Sequence, residues 1–553
     1  MSLKEIYNTD NASYIFELLE NEMDIEVPPA VLIPVLQNRI ISVDFDDTYE
    51  IYVKCVTREK IFDTIKIKPV DIENSNLVYR WGLKGIERLD EEKRSNYKAI
   101  FHKLAKDMPE RLIYNLVGHV PDKERYIFGN YLVRKNECNR VSNGLIKTDF
   151  EIKQEEDFFL SKYITCFRNQ TEGIIILFSL LMSLNLSRMA QISNERPSFL
   201  LAIIGSTGNY KTSTVQATLN PYQDTSFSIA SFEDTPASIV ATLKQTRDMV
   251  SIVDDYYTNT DNDITSKLEK VIRLNGDKSS VGKKMSGSKI LSDSSDTISV
   301  ITGEQVPKVR VSSIPRMLII EFKNAVDLDA LTVLQNSQEE FRGALIKFIQ
   351  YTLSDDSYSK KLIEKFVNHR NEMIQKEQPK WHGRYISMCC WFLAMYDVFC
   401  DFCEMKNISY DSIQNFPQEI RRYISRQSKR YLENDVVYIF LKALRRLIDE
   451  NGIKAISDKE ITSDTLHVDV IYNDDYYWIE SRSVFDKIVV WCQRESIPFN
   501  VTKKELYNRL FDDNFLIKRN GKLTSEYRKG KFRQSTVCLA RNNINRYNVE
   551  GGE

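Results

Sequence analysis

The sequence offers little to several common chemistries. It has five histidines in 553 residues, scattered, and no Ser-His-Asp signature of a nucleophilic hydrolase accompanies them. Nine cysteines (55, 138, 166, 389, 390, 400, 403, 492 and 538) in so long a chain make no disulfide framework. Paired CxxC knuckles are missing too. Cys389-Cys390 and Cys400-x-x-Cys403, with His382 nearby, sit in an apolar aromatic run that reads as one buried helix, so core cysteines are expected rather than zinc ligands. No basic segment followed by an apolar stretch opens the chain, and no secretory signal is visible. The one membrane suspect, 173–187, is short of the ~20 apolar residues that a span needs. Ser179, Ser183 and Asn185 dilute it further, so a buried helix and a cytoplasmic protein are expected. Net charge is also small: 76 basic against 78 acidic residues leave −2, so any nucleic-acid contact must come from local patches. Neither an internal repeat nor a low-complexity tract is present. Asp44, Asp46 and Asp47 imitate the metal-binding carboxylates of a primase, but without a supporting His or a further acidic pair they read as an acidic turn at a strand end.

The length suggests three or four domains at roughly 150 residues each. Up to about residue 155 a leading helix precedes strand-like runs, VLIPVL, IISVDF, YEIYVKCV and KIFDTIKIK, then a charged helix and hairpin material from Gly118 to Val133. From 156 to 350 the pattern becomes helices alternating with short, fully apolar strands at 199–205, 249–255, 297–303 and 316–322. Such strands belong in a parallel sheet covered on both faces. Residues 351–455 read as helical. Residues 456–553 give two short helices and a basic hairpin, the outline of a winged helix.

The apolar strand FLLAII runs into Gly205-Ser206-Thr207-Gly208-Asn209-Tyr210-Lys211-Thr212-Ser213 and then a helix. A phosphate-binding loop needs glycines so that backbone N–H groups aim at anionic oxygens. It also needs a Lys for the terminal phosphates and a hydroxyl for Mg²⁺, here Lys211 and Thr212. Tyr210 departs from the pattern, since glycine is usual there. Downstream, Met249–Asp255 is an apolar strand ending in two carboxylates, Asp254 for the Mg²⁺ shell and Asp255 to orient and deprotonate water. A third strand ends at Thr302-Gly303-Glu304, where either polar side chain is placed to touch the γ-phosphate or the water, or simply marks a strand exit. Arg316 opens the fourth strand, either as a surface residue or as an arginine that stabilises charge at a neighbour's nucleotide.

The order of these motifs, GSTGNYKT, DTPASIVATL, VDD, RLNGDKSSVGKK and VITGE, resembles the AAA+ domain of MCM-like helicases. More specifically it is similar to replicative helicases of staphylococcal cassette and pathogenicity-island elements. The family usually carries GKT[ST] and an acidic DE pair where this chain has YKTS and DD. The resemblance implies a multidomain α/β protein with a central AAA+ ATPase, an α+β N-terminal domain and a C-terminal winged helix. It also implies a homo-hexameric ring that hydrolyses ATP to translocate on DNA, with sites shared between subunits. The Gly-, Ser- and Lys-rich stretch after Asn275 suits a hairpin carrying Lys283, Lys284 and Lys289, which in such rings grips phosphates in the channel; a plain exposed loop is the other reading. Lys518, Arg519, Lys522, Arg528, Lys529, Lys531 and Arg533, with Tyr527 and Phe532 interleaved, suit a duplex-binding wing or a basic hairpin docked on an acidic neighbour. Two other functions share these motifs: a ring ATPase that remodels or packages, and a nucleotide-controlled DNA-binding regulator.

Overall fold

The computed structural model describes residues 3–541, apart from 43–46, 69–79, 82–90, 121–123, 156, 224–226, 228, 258–261, 277–295, 308, 324, 378–380, 434, 496, 498, 500, 513 and 520. The chain packs as two compact units, one of Met1–Lys308, Arg316–Pro379 and Ile386–Ile420, the other of Val309–Pro315, Lys380–Tyr385 and Arg421–Glu553.

The first unit opens with helix Ala12–Glu22, capped by the Asn11 side chain, which accepts from the Tyr14 N–H at 3.2 Å. Strands β1 (Ala30–Ser42), β2 (Asp47–Thr57), β3 (Ile65–Ile67), β4 (Glu110–Asn115) and β9 (Ser142–Asn143) form a sheet in the order β3-β2-β1-β4-β9. The run VLIPVL and the first three residues of IISVDF, 40–42, are one continuous strand; the rest of the second run, 43–45, lies outside the described residues. Pro34, which has no N–H to give a ladder, sits where the β1–β2 register shifts. The pleat sends alternate residues of β1 to opposite faces. Val31 and Ile33 pack with Ile15, Phe16 and Leu19, and Ala30 and Leu32 with Val53, Cys55 and Phe101. The expected hairpin material forms an antiparallel sheet of β5 (Gly118–Val120), β6 (Arg125–Phe128), β7 (Tyr131–Val133) and β8 (Cys138–Arg140).

A parallel sheet follows, with β10 (Leu200–Ile204), β11 (Ile229–Ser231), β12 (Met249–Tyr256), β13 (Thr297–Gly303) and β14 (Met317–Glu321) in the order β11-β12-β13-β10-β14. Four of the five strands match the apolar runs. The fifth, β11, is a three-residue edge strand whose sequence Ile-Ala-Ser is too short to show a pattern. Helices Gln170–Ser183, Pro236–Gln245 and Asn262–Gly276 pack on this sheet. The first holds most of the suspected membrane segment and is buried on all sides. Its hydroxyls are satisfied internally, Ser179 donating to the Ile175 carbonyl at 2.7 Å and Ser183 to Leu180 at 2.6 Å. Helix Gly383–Met405 is long and apolar enough to cross a membrane, yet 72% of its most apolar stretch is buried within the protein. Trp391 stacks on Phe366 at 4.0 Å, Cys389, Cys390 and Cys403 are buried, and burial pushes the Cys403 thiol up to about 12.

The second unit holds helices Val436–Asp449, Ser483–Arg494 and Lys503–Asp512, packed around one core with Val470, Ile479, Val537 and Leu539. Beside them lies a sheet of β15 (Ala455–Ser457), β16 (Val470–Tyr472), β17 (Tyr476–Glu480), β20 (Phe532–Ala540) and β18 (Leu516–Ile517), with β19 (Thr524–Lys529) paired to β20. The two helices and the hairpin lie where expected. Strands β15 to β17 were not foreseen, because each is only three to five residues between polar turns.

One buried residue ties β5 to the parallel sheet. Asp248, fully buried just before β12, accepts hydrogen bonds from Ser187 N–H at 2.7 Å, Ser187 Oγ at 2.5 Å and His119 N–H at 3.0 Å. Gly118, at φ +92, lies so close that an added Cβ would stand 2.6 Å from the Asp248 carboxylate. The His119 ring, 3% exposed, bonds Asn185 through Nε2 at 3.0 Å. Burial, then repulsion from Arg188, push its pKa from 6.5 down to about 3. The neutral ring is therefore the native form, and its contribution is complete above about pH 6.5 and lost as pH falls towards 3. Asp248 and Glu172, both raised by burial, act in the opposite sense, so the histidine must be isolated by substitution. His119→Gln is expected to flatten the acid loss of stability below pH 6.5 by up to about 1.4 kcal/mol per pH unit, measured as unfolding midpoints from pH 7 to 5. Equal slopes in both proteins would contradict it.

Candidate nucleotide site and nucleic-acid interface

β10 lies between β13 and β14, all three parallel, and Gly205 follows at its carboxyl end. An added Cβ on Gly205 would meet the Phe322 carbonyl at 2.5 Å, so the close approach to the end of β14 requires glycine. Asn209 clamps the same carbonyl, donating at 2.9 Å, and also bonds Ser206 Oγ at 3.0 Å. Gly208 takes φ +87 and Tyr210 takes φ +56, ψ +22 as the residue before helix Lys211–Leu219. The tyrosine thus adopts the left-handed conformation that glycine adopts without cost. Its side chain is half exposed and points no bulk into a core. The Tyr210 carbonyl is held by Thr214, whose N–H and hydroxyl donate at 2.9 and 2.7 Å. Lys211 curls over the loop, its Nζ donating to the Ser206 carbonyl at 2.9 Å. Ser213, in the first turn of the helix, lines a polar cleft of about 290 Å³ with Gln216, Gln335 and Gln338.

The carboxylates arrive from β12. Its register with β13 slips between Val253 and Tyr256, and Asp255 sits at φ +66 in that irregularity. A bulge re-aims side chains at a strand end, and here Asp254 is half-buried while Asp255 is exposed. Thr212 Oγ1 donates to Asp254 Oδ1 at 3.3 Å, and Thr302 Oγ1 donates to the same oxygen. Thr302 also accepts the Asp255 N–H at 3.1 Å and is 2% exposed. In this structure its contacts are therefore with the acidic pair. Glu304 is exposed and accepts from the Thr207 hydroxyl, which brings it onto the loop.

Lys211, Thr212, Asp254, Asp255, Thr302 and Glu304 are thus gathered at the carboxyl ends of three neighbouring strands, where open α/β sheets bind ligands. Arg316 is not among them. It closes the turn Val311–Arg316 before the first residue of β14, and Met317 pairs with Leu200 at the opposite end of β10 from the loop. A strand of five residues puts it about 17 Å away along the sheet. There its side chain covers Gly276, where an added Cβ would meet Arg316 Cδ at 2.6 Å. Lys283, Lys284 and Lys289 lie outside the described residues.

The basic hairpin divides its cations. Lys518 lies over Phe511 at 3.8 Å, and Arg519 lies over Tyr476 and Trp478, both at 5.4 Å. Arg528 pairs with Glu526 at 2.6 Å and Lys529 with Asp458 at 3.6 Å. Arg528 stands directly opposite Arg533 in the β19–β20 register, with exposed Lys531 in the turn; Lys522, also exposed, bridges Arg519. Tyr527 and Phe532 face inward instead of joining the cations. Tyr527 packs on Trp478 at 5.1 Å and bonds Asp458, and Phe532 is 7% exposed.

No family model matches the chain, and no curated protein matches it. Among solved structures it is similar to one described as "SCCmec type IV Cch - active helicase", with a TM-score of 0.52 at 10% identity over 94% of this chain and 96% of that one. The two share a fold over nearly their whole lengths. The apo structure of the NrS-1 C-terminal region aligns with a TM-score of 0.28 at 10% identity, covering 74% of this chain and 95% of that one, too low to carry an argument.

Two features of the site are conformational: the bulge at Asp254–Asp255, which had no sequence pattern, and the left-handed Tyr210, whose only signal was that glycine is usual at its position. The second is testable. Tyr210→Gly is expected to leave the thermal midpoint no lower than wild type, whereas Tyr210→Val, β-branched at positive φ, costs about 1–3 kcal/mol in thermal unfolding. A Val variant as stable as wild type would rule out the left-handed backbone.

Proposed function

We propose that this chain is an ATP-dependent DNA helicase and replication initiator of a mobile genetic element, working as a homo-hexameric ring. The observation that carries the proposal is the meeting of Lys211, Thr212, Asp254 and Asp255 at one sheet edge. The shared fold with a protein described as an active helicase supports it. In this reading the loop 205–213 cradles the phosphates of ATP and Lys211 reaches the terminal ones. Thr212 Oγ1 and Asp254 are hard oxygen donors 3.3 Å apart, the class that Mg²⁺ takes, and are the residues that would hold it. The ion's contribution there is to neutralise phosphate charge. Asp255 orients and deprotonates water, Thr302 holds the Asp254 carboxylate and the Asp255 backbone N–H, and Glu304 lies at the loop. Arg316, a strand's length from its own Lys211, serves the nucleotide of a neighbouring subunit.

The AAA+ domain is residues 156–350 in this proposal, flanked by an α+β domain of 1–155, a lid or linker of 351–455 and a winged helix of 456–553. The strand of Thr302 lying beside the loop strand supports that layout. Lys283, Lys284 and Lys289 grip single-stranded DNA in the channel, and the hairpin cations hold duplex.

On a forked duplex, wild type is expected to separate strands with ATP, and Lys211→Ala to lose about 100-fold or more in ATP turnover and unwinding together. ATP hydrolysis without strand separation would overturn the helicase reading. If Arg316 acts on a neighbour, mixing Lys211→Ala with Arg316→Ala subunits restores part of the turnover, because some interfaces then carry both intact residues. No recovery on mixing would place Arg316 outside the site.

A further inference from the structure

Residues 421–446 form the most one-sided charge concentration in the second unit outside the basic hairpin. Arg421, Arg422, Arg426, Lys429, Arg430, Lys442, Arg445 and Arg446 stand against Glu433 and Asp435, in a chain of net charge −2. Asp435 is committed to its own backbone, accepting from Val437 N–H at 2.7 Å and Tyr438 N–H at 3.2 Å as the cap of helix Val436–Asp449.

The helical period sorts this segment into two faces. On helix Phe416–Glu433, Ile420, Ile424, Gln427, Ser428 and Tyr431 are buried, while Arg422, Ser425, Arg426, Lys429 and Arg430 are exposed. From Arg422 to Arg430 the exposed stripe is therefore basic, with one serine between cations, and the uncharged Gln418 precedes it. On the next helix Lys442, Arg445 and Arg446 are exposed in the same way. From Arg422 to Arg430 the helix rises about 12 Å and presents four cations, one per 3–4 Å, close to the ~3.4 Å axial spacing of phosphates along one DNA strand. A docked protein would need an apolar or aromatic anchor at the centre of its footprint, and none of the described exposed residues of helix Phe416–Glu433 is apolar or aromatic.

We propose that the exposed face of helix Phe416–Glu433 is a backbone-binding surface for nucleic acid, additional to the loop and hairpin cations, with Lys442, Arg445 and Arg446 on the next helix supplying further cations. That the polyanion is nucleic acid rests on the function proposed above. The surface reads no sequence. It adds affinity and salt dependence, and it holds DNA whether or not nucleotide is bound.

The test is binding of the full chain to a labelled mixed-sequence DNA strand and to its duplex, by anisotropy over a salt series. Arg422→Gln/Arg426→Gln/Lys429→Gln/Arg430→Gln is expected to reduce the slope of log affinity against log salt by roughly 3 and to weaken binding about 10- to 100-fold. Lys211→Ala leaves that slope unchanged. Should the quadruple variant melt below wild type, Lys442→Gln/Arg445→Gln on the neighbouring helix replaces it, with a slope reduced by roughly 2. Tight DNA binding with an unchanged slope in the folded variants overturns this inference and leaves the helicase reading intact. Wild type that binds neither strand nor duplex overturns the helicase reading itself. Loss of an acidic protein partner in the variant, with DNA affinity unaltered, also overturns the inference.

Discussion

The Asp254 carboxylate is the contact around which the candidate site is built. Hydroxyls from two other elements converge on its Oδ1, Thr212 from the helix after the loop and Thr302 from β13. That geometry exists only because β12 slips register after Val253, which turns the acidic pair out of the regular ladder. The neighbouring Asp255 pays for the slip with a left-handed backbone at φ +66, and Thr302 steadies it by accepting its N–H. Remove the bulge, and successive side chains would alternate across the sheet, with one carboxylate directed away from the loop.

The loop depends on a second close approach. Gly205 abuts the Phe322 carbonyl, and Asn209 bonds that carbonyl from the other side. The loop is thereby fixed to the end of β14, so its glycine-like turn survives a tyrosine at position 210. Aspartate tolerates positive φ better than most residues, tyrosine less so, and both lie within hydrogen-bonded frames that over-determine them.

Much of this architecture was legible in the chain. Each long parallel strand is a continuous apolar run between turn signals, which is what burial on both faces demands, and Gly205 and Gly208 mark the tight loop that leaves β10. What was not legible depended on partners distant in sequence. Of the short strands, β17 gains its hydrogen bonds from β20, some sixty residues on, while β16 pairs with β17 and β15 with β16. The inward turn of Tyr527 and Phe532 follows from the pleat, since Arg528 and Arg533 occupy the opposite face, yet composition alone grouped them with the cations. Arg316 was correctly placed at a strand start, but only the parallel register shows that this start is the far rim from Lys211.

The Asp248 junction gives β12 a mechanical character. Its first end is anchored to the backbone of Gly118 and His119 through a buried carboxylate, and its last residues present Asp254 and Asp255. About 20 Å of strand separates those ends. The strand thus links the sheet of β5 to β8 with the end at which Asp254 and Asp255 lie, like a strut set between them.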